Sequence, residues 1–190
     1  ALVLAVGPEV LDNNEQLAGI LGAAAAAAAA AAAWLHWKRF RVPITVAAGA
    51  AAVAALAVGL LIAALGERLE QAENAVLGFV LLLGVGTFLF AMWWDGSDRA
   101  RITRRADVAF WLHLLAAPMI VHPVFTLLGL NDGNATILEG LVVILLYVII
   151  GITALAIDRR ALLVSALAYV LFALNAMFEQ FGAVELNIAL

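Results

Sequence analysis

The residues best suited to chemistry are two histidines in the apolar stretch DVAFWLHLLAAPMIVHPVFTLLGL, residues 107–130. Ionisable groups within a membrane-spanning segment are costly, so His113 and His122 are candidates for proton transfer or ligand binding. Nine residues separate them, which turns an ideal helix by ~900° and places them on opposite faces. They therefore cannot bind one metal or haem iron together. Each is either a ligand whose partner lies elsewhere or a neutral histidine bonded to its neighbours.

A second group of polar residues lies in later apolar stretches. Asn175 and Glu179 are four residues apart, on one face of a helix. Their depth matches that of His122, which lies ~13 Å from the end of its own segment. A His–Glu pair there could carry protons or bind a small cation, while the plainer interpretation is that Glu179 marks the water interface. The sequence thus predicts a candidate intramembrane polar site, with no catalytic residue and no metal ligand set, formed by His122, Asn175, Glu179, Tyr147 and His113.

The elements that must position these residues are transmembrane helices. The chain is 66% hydrophobic and 13% charged, with a mean hydropathy of +1.09, whereas a soluble domain is about half apolar and about a quarter charged. The net charge of −4 argues against a nucleic-acid partner. The absence of cysteine excludes disulfides and thiolate chemistry, and the usual catalytic signatures are missing. An enzyme is therefore the less favoured class.

We predict an all-α, polytopic transmembrane helix bundle that forms a single domain over residues 1–190. A span needs ~20 apolar residues. Six complete spans are predicted, with partial helices at both ends of what reads as a window on a longer protein, and the spans cover residues 16–37, 43–66, 75–94, 107–130, 137–157 and 161–182. Asn74 and Asp107 are predicted to cap the third and fourth spans. Gly78, Gly84 and Gly86 permit close helix approach but lack the GxxxG spacing of a dimer motif.

Basic residues occupy every second gap between these spans. Nine of the ten cluster in three gaps, and acidic residues dominate the alternate gaps. This positive-inside pattern predicts that the basic loops are cytoplasmic, in a multi-pass protein of a bacterial inner membrane. All five tryptophans lie at the ends assigned to the cytoplasm, where interfacial anchoring is the simplest interpretation. The predicted cytoplasmic anchors are Lys38, Arg39, Arg41, Arg99, Arg101, Arg104, Arg105, Arg159 and Arg160.

Three stretches carry a resemblance to known sequences: WLHWKRFRVPITVA at residues 34–47, DVAFWLHLLAAPMIVHPVF at 107–125, and IDRRALLVSALAYVL at 157–171. They resemble uncharacterised multi-pass inner-membrane proteins of proteobacteria, grouped under domains of unknown function. The resemblance implies a membrane protein and no particular activity, cofactor or catalytic residue. The eleven consecutive alanines of residues 23–33 depart from such a pattern, and either natural sequence or placeholder residues would account for them.

Three functions compete at this stage. The first is a non-enzymatic accessory or scaffold subunit that packs with other membrane proteins in the lipid bilayer. The second is a small-solute or proton-coupled transporter with a cavity lined by His122, Asn175, Glu179 and Tyr147. The third is a haem- or pigment-binding electron-transfer protein using His113 or His122. We rank them in this order and predict no cofactor, although the third alternative leaves haem or a pigment open.

Overall fold

Four long helices make up the computed structural model, which describes residues 14–128 and eight isolated positions further on (141, 142, 145, 148, 149, 151, 152 and 171). They are α1 (Glu15–Phe40), α2 (Ile44–Leu65), α3 (Glu73–Gly96) and α4 (Arg104–Leu127). Two short 3₁₀ turns, Gly66–Arg68 and Glu70–Ala72, connect α2 to α3. At 1.5 Å per residue these helices are ~33–39 Å long.

The prediction of six complete spans is wrong, although the all-α class is confirmed. The described part of the chain contains four helices long and apolar enough to cross a membrane. The segments predicted at residues 137–157 and 161–182 lie outside the described residues, apart from the eight isolated positions. Apolar length was the only basis for the last two spans, and the count of six exceeds the four helices that the described residues contain.

Helices α1 and α2 form an antiparallel hairpin. The side chain of Asn14 caps α1 by accepting the N–H of Leu17 at 2.9 Å. Arg41 ends the helix in the left-handed conformation, with φ 54°, and its N–H donates to the carbonyl of Trp37. Pro43 immediately precedes α2, where its fixed φ suits a helix start. The chain therefore reverses direction within three residues.

Helices α3 and α4 form the second hairpin, and its boundaries differ from the predicted ones. Asn74 lies inside α3, which begins after Ala72 without a side-chain cap. Thr103 caps α4 by accepting the N–H of Arg105, so Asp107 lies in the first turn instead of at the cap. Both predicted caps were wrong because each helix starts two or more residues earlier than the apolar pattern does.

The central helix is α4, which is half buried over its most apolar stretch, compared with less than a fifth for each of the others. It packs mainly on α3 and also on α2. A compact core lies near its start, where Ala47 of α2, Ala91 of α3, and Val108 and Leu112 of α4 are buried together. Because α4 packs on its hairpin partner α3 and also on α2 of the first hairpin, its side chains are the ones most enclosed by protein.

Candidate functional site

His113 is completely buried in the middle of α4. Its Nδ1 lies 2.7 Å from the carbonyl oxygen of Ala109, one turn earlier. Since a carbonyl can only accept, Nδ1 carries the proton, and Nε2 of the neutral ring has a free lone pair. Nε2 is buried and has no hydrogen-bond partner in the structure. Phe88 of α3 meets the imidazole edge-on, with ring centroids 5.3 Å apart.

This arrangement has one property of a metal-ligating histidine and lacks another. A ligating imidazole commonly donates its second N–H to a backbone carbonyl, as His113 does. A porphyrin would also need open space beside Nε2. Nε2 is instead buried, and no group of three or more metal-ligating side chains occurs among the described residues. A buried histidine held by its own helix is the reading that this packing favours.

His122 lies on the opposite, exposed face of α4 from His113, as the nine-residue spacing predicts. Its carbonyl accepts the hydroxyl of Thr126 at 3.0 Å. The other members of the predicted polar site, Asn175, Glu179 and Tyr147, lie outside the described residues. The proposed His122–Glu179 pairing is therefore still a prediction.

An apolar groove lies between α2 and α3. Its volume is about 450 Å³. The side chain of Leu82 is 69% exposed and that of Val53 is 56% exposed. The only hydroxyl on the wall belongs to Thr87, which donates to the carbonyl of Leu83 in its own helix at 2.8 Å. The groove is lined by Val46, Ala50, Val53, Ala54, Leu82, Leu83, Gly86, Thr87 and Phe90.

The first two basic clusters meet at one end of the bundle. Arg41 follows α1, Arg104 and Arg105 open α4, and all three line one pocket of about 320 Å³ together with Trp37 and Trp94. The third cluster, Arg159 and Arg160, lies outside the described residues. The structure thus places the first two clusters on the same side, as their alternation along the sequence requires.

The tryptophans at this end divide into two groups. Trp34 and Trp93 are 57% and 66% exposed, which suits the interfacial role predicted for all five. Trp37, Trp94 and Trp111 instead pack against the core. Trp37 and Trp94 meet edge-to-face, with ring centroids 6.3 Å apart. The prediction that all five tryptophans serve as interfacial anchors was therefore too simple, because three of the rings pack against the helix core.

Two polar contacts at this end were not anticipated from the sequence. His36 Nδ1 lies 2.9 Å from the hydroxyl oxygen of Thr45, across the turn between α1 and α2. Asp98, which is 7% exposed, accepts the hydroxyl of Thr103 at 2.6 Å and its N–H at 2.9 Å. The Thr103 hydroxyl, aided by backbone N–H groups, lowers the pKa of Asp98. In the sequence, the only signal of the second contact was an aspartate, Asp98, five residues before the capping Thr103.

No protein-family model, curated protein or solved structure matches this chain. The resemblance to uncharacterised inner-membrane proteins is therefore still a prediction.

Proposed function

We propose that this chain is a non-enzymatic integral membrane protein that packs, as an accessory or scaffold subunit, against another membrane protein through the groove between α2 and α3. The groove carries the proposal because its wall combines exposed apolar side chains with small residues. Within a bilayer, lipid tails solvate large aliphatic groups as well as protein does, so helices associate where small residues let backbones approach.

Three small residues shape the groove. Ala50 and Ala54 contribute from α2, and Gly86 contributes from α3. A Cβ placed on Gly86 would meet no atom within 4 Å, so the backbone of α3 is open to a neighbour at that point. A partner helix presenting Leu or Ile knobs would fill the space between Val53 and Leu82 and gain close packing that lipid chains give less well.

Each buried polar residue of the described bundle has at least one structural partner, which favours a packing role over a transport or catalytic one. Three polar side chains are buried in this part of the chain. Thr45 contacts His36, Asp98 is bonded to Thr103, and His113 is bonded to Ala109. Each bond joins neighbouring turns or stabilises a loop. The described side chains of the groove wall offer a ligand no free polar group, since the Thr87 hydroxyl is already bonded.

We place the protein in a bacterial inner membrane with its basic loops in the cytoplasm. The meeting of Arg41 with Arg104 and Arg105 at one end supports this orientation, because the positive-inside rule requires these clusters to share a side. The opposite end contains the acidic turn between α2 and α3, where Glu67, Glu70 and Glu73 lie. We also propose that the chain is related to uncharacterised proteobacterial membrane proteins, on the sequence stretches described above.

Site-directed cross-linking in native membranes tests the function. The chain contains no cysteine, so Leu82→Cys creates a single thiol for a benzophenone label in the groove. Leu35→Cys is the matched control, since Leu35 is 60% exposed on α1 and does not line the groove. Illumination is expected to join the Leu82→Cys chain to a second, different membrane protein identified by mass spectrometry, and the Leu35→Cys chain to lipid.

Other products would contradict the proposal. Cross-links confined to the same chain would mean that its own residues fill the groove. A product of twice the chain's mass would assign the groove to a second copy. Equal yields of the same partner from Leu82→Cys and Leu35→Cys would mean that the label reports random encounters instead of docking.

A further inference from the structure

The pocket at the basic end is lined by three arginines from two parts of the fold. Arg41 reaches it from the end of α1, while Arg104 and Arg105 are consecutive residues at the start of α4. Like charges gathered around one cavity repel one another unless an anion lies between them. The five described residues that line the cavity include no carboxylate to fill that role.

Among the described residues the one buried carboxylate, that of Asp98, already accepts other hydrogen bonds. Asp98 accepts hydrogen bonds from the hydroxyl and N–H of Thr103 and a longer one from the N–H of Ile102. Asp98 therefore holds the loop before α4 and is not among the residues that line the cavity. Arg104 and Arg105 thus line the cavity without a carboxylate among the described lining residues.

The position of Arg104 and Arg105 goes against a local rule of helix stability, which Asp107 of the same turn satisfies. A helix N-terminus carries a partial positive charge, so cations in the first turn are unfavourable and anions are favourable. Departures of this kind are expected where function requires them. An anion in the cavity would be attracted by both the arginines and the end of α4, which removes the conflict.

The other wall of the cavity is aromatic. Trp37 and Trp94 line it, and the indole Nε1–H of Trp94 is buried without a hydrogen-bond acceptor in the structure. Buried donors normally have a partner. The guanidinium of Arg41 lies over the Trp37 ring, 5.6 Å from its centroid, which holds this charge at the cavity edge.

The pocket lies at the end of the bundle where tryptophans are exposed. Trp34 and Trp93 are both more than half exposed, and Lys38 lies over the Trp34 ring at 4.5 Å. Exposed tryptophan next to lysine is typical of the headgroup layer of a membrane. A phosphate at this depth is most readily supplied by a phospholipid.

From these contacts we propose that the pocket lined by Trp37, Arg41, Trp94, Arg104 and Arg105 binds the phosphate of an anionic phospholipid headgroup. Arginine suits this role because its planar group donates two parallel hydrogen bonds to phosphate oxygens. The aromatic wall would contact the glycerol and upper acyl region. The inference requires only that the helices span a membrane, and it stands whether or not the groove between α2 and α3 binds a partner.

Native mass spectrometry of the purified full chain tests the proposal. Protein in detergent is titrated with phosphatidylglycerol, with zwitterionic phosphatidylcholine of the same acyl chains, and with inorganic phosphate. Arg104→Gln with Arg105→Gln removes two charges from the pocket. Arg39→Gln with Arg99→Gln is the matched control, since both are exposed arginines of the same clusters outside the pocket. Circular dichroism verifies that each variant keeps its helices.

The expected result is a preference for phosphatidylglycerol over phosphatidylcholine that falls by on the order of tenfold in the pocket variant and changes little in the control. Equal losses in both variants would overturn the proposal, because general surface charge would then explain binding. If the wild-type chain retained phosphatidylglycerol and phosphatidylcholine equally, the proposal would also be overturned. Inorganic phosphate displacing phosphatidylglycerol at millimolar concentration would support the phosphate contact, whereas tighter binding of free phosphate than of the lipid would overturn the assignment to a headgroup.

Discussion

Gly19 of α1 and Gly59 of α2 face each other at backbone distance. A Cβ placed on Gly19 would lie 2.8 Å from the carbonyl oxygen of Gly59, and a Cβ on Gly59 would lie 3.1 Å from that of Gly19. Both residues are buried. This contact sets how closely the first hairpin can pack, because only hydrogen atoms separate the two backbones.

Gly19→Ala should destabilise the first hairpin. The added methyl would also lie 2.5 Å from the backbone nitrogen of Ala63, so the helices must separate. Overpacking of this kind costs on the order of 1–3 kcal/mol. Thermal unfolding in detergent, followed by circular dichroism, measures the loss. Gly22→Ala is the control, since a Cβ there meets nothing within 4 Å and alanine is the better helix former; equal destabilisation by both changes would refute the packing argument.

His113→Leu should leave the fold intact and the purified protein colourless. The change removes both the Nδ1–H bond to Ala109 and the buried Nε2, so the cost is expected to stay below about 1.5 kcal/mol. Visible absorption of the wild-type protein is expected to lack a Soret or pigment band. A band that His113→Leu abolishes and His122→Leu retains would instead establish His113 as an axial ligand and revive the electron-transfer alternative.

The loop before α4 should loosen in acid. Because hydrogen bonds from Thr103 lower the pKa of Asp98 in the folded chain, the stability that its carboxylate contributes is present above the unfolded pKa and is lost as pH falls through the lower, folded pKa. Amide hydrogen exchange at Ile102 and Thr103, corrected for the intrinsic rate, should therefore increase at strongly acidic pH.

Asp98→Asn should reproduce that loosening at neutral pH, where the wild-type carboxylate is ionised. The difference between variant and wild type should shrink as the wild-type carboxyl becomes protonated. Asp107→Asn is the control, because Asp107 is exposed in the first turn of α4. Exchange that is equally fast in both variants at neutral pH would argue against a specific role for Asp98.

The contact of His36 with Thr45 should couple the two sides of the first turn. The atoms Nδ1 and Oγ1 lie 2.9 Å apart, and Thr45 is buried. A double-mutant cycle with His36→Phe and Thr45→Val should give a coupling free energy of about 0.5–1.5 kcal/mol. Thermal unfolding of the wild type, the two single variants and the double variant provides the four free energies of unfolding. Additive effects of the two changes would mean that the contact contributes nothing to stability.

Close packing by glycine shows where sequence reasoning reaches its limit. Gly78, Gly84 and Gly86 were singled out for close approach, yet among these three only Gly84 lies against another helix of the described bundle, with its Cβ position 2.8 Å from the backbone carbon of Met119. The close approach of Gly19 to Gly59 in the first hairpin was not anticipated. A glycine permits approach on any side, and the partner is set by the rotation of each helix about its axis, which no local pattern records.

The arrangement of the candidate site was also only partly predictable from the sequence. The opposite faces of His113 and His122 follow from the turn per residue of a helix and were predictable. Which of the two faces is buried was not predictable, because both faces of residues 107–130 are apolar and hydropathy does not distinguish lipid from protein.

By itself the sequence determined the all-α class, the presence of segments long and apolar enough to cross a membrane, and the shared side of the first two basic clusters, because apolar length and charge placement are local properties that do not depend on packing. The tertiary structure decided that α4 is central, that His113 is enclosed, that three tryptophans join the core, and that Arg41 meets Arg104 and Arg105 around one cavity. These features depend on distances between residues far apart in the chain, which only the packing of one hairpin on the other establishes.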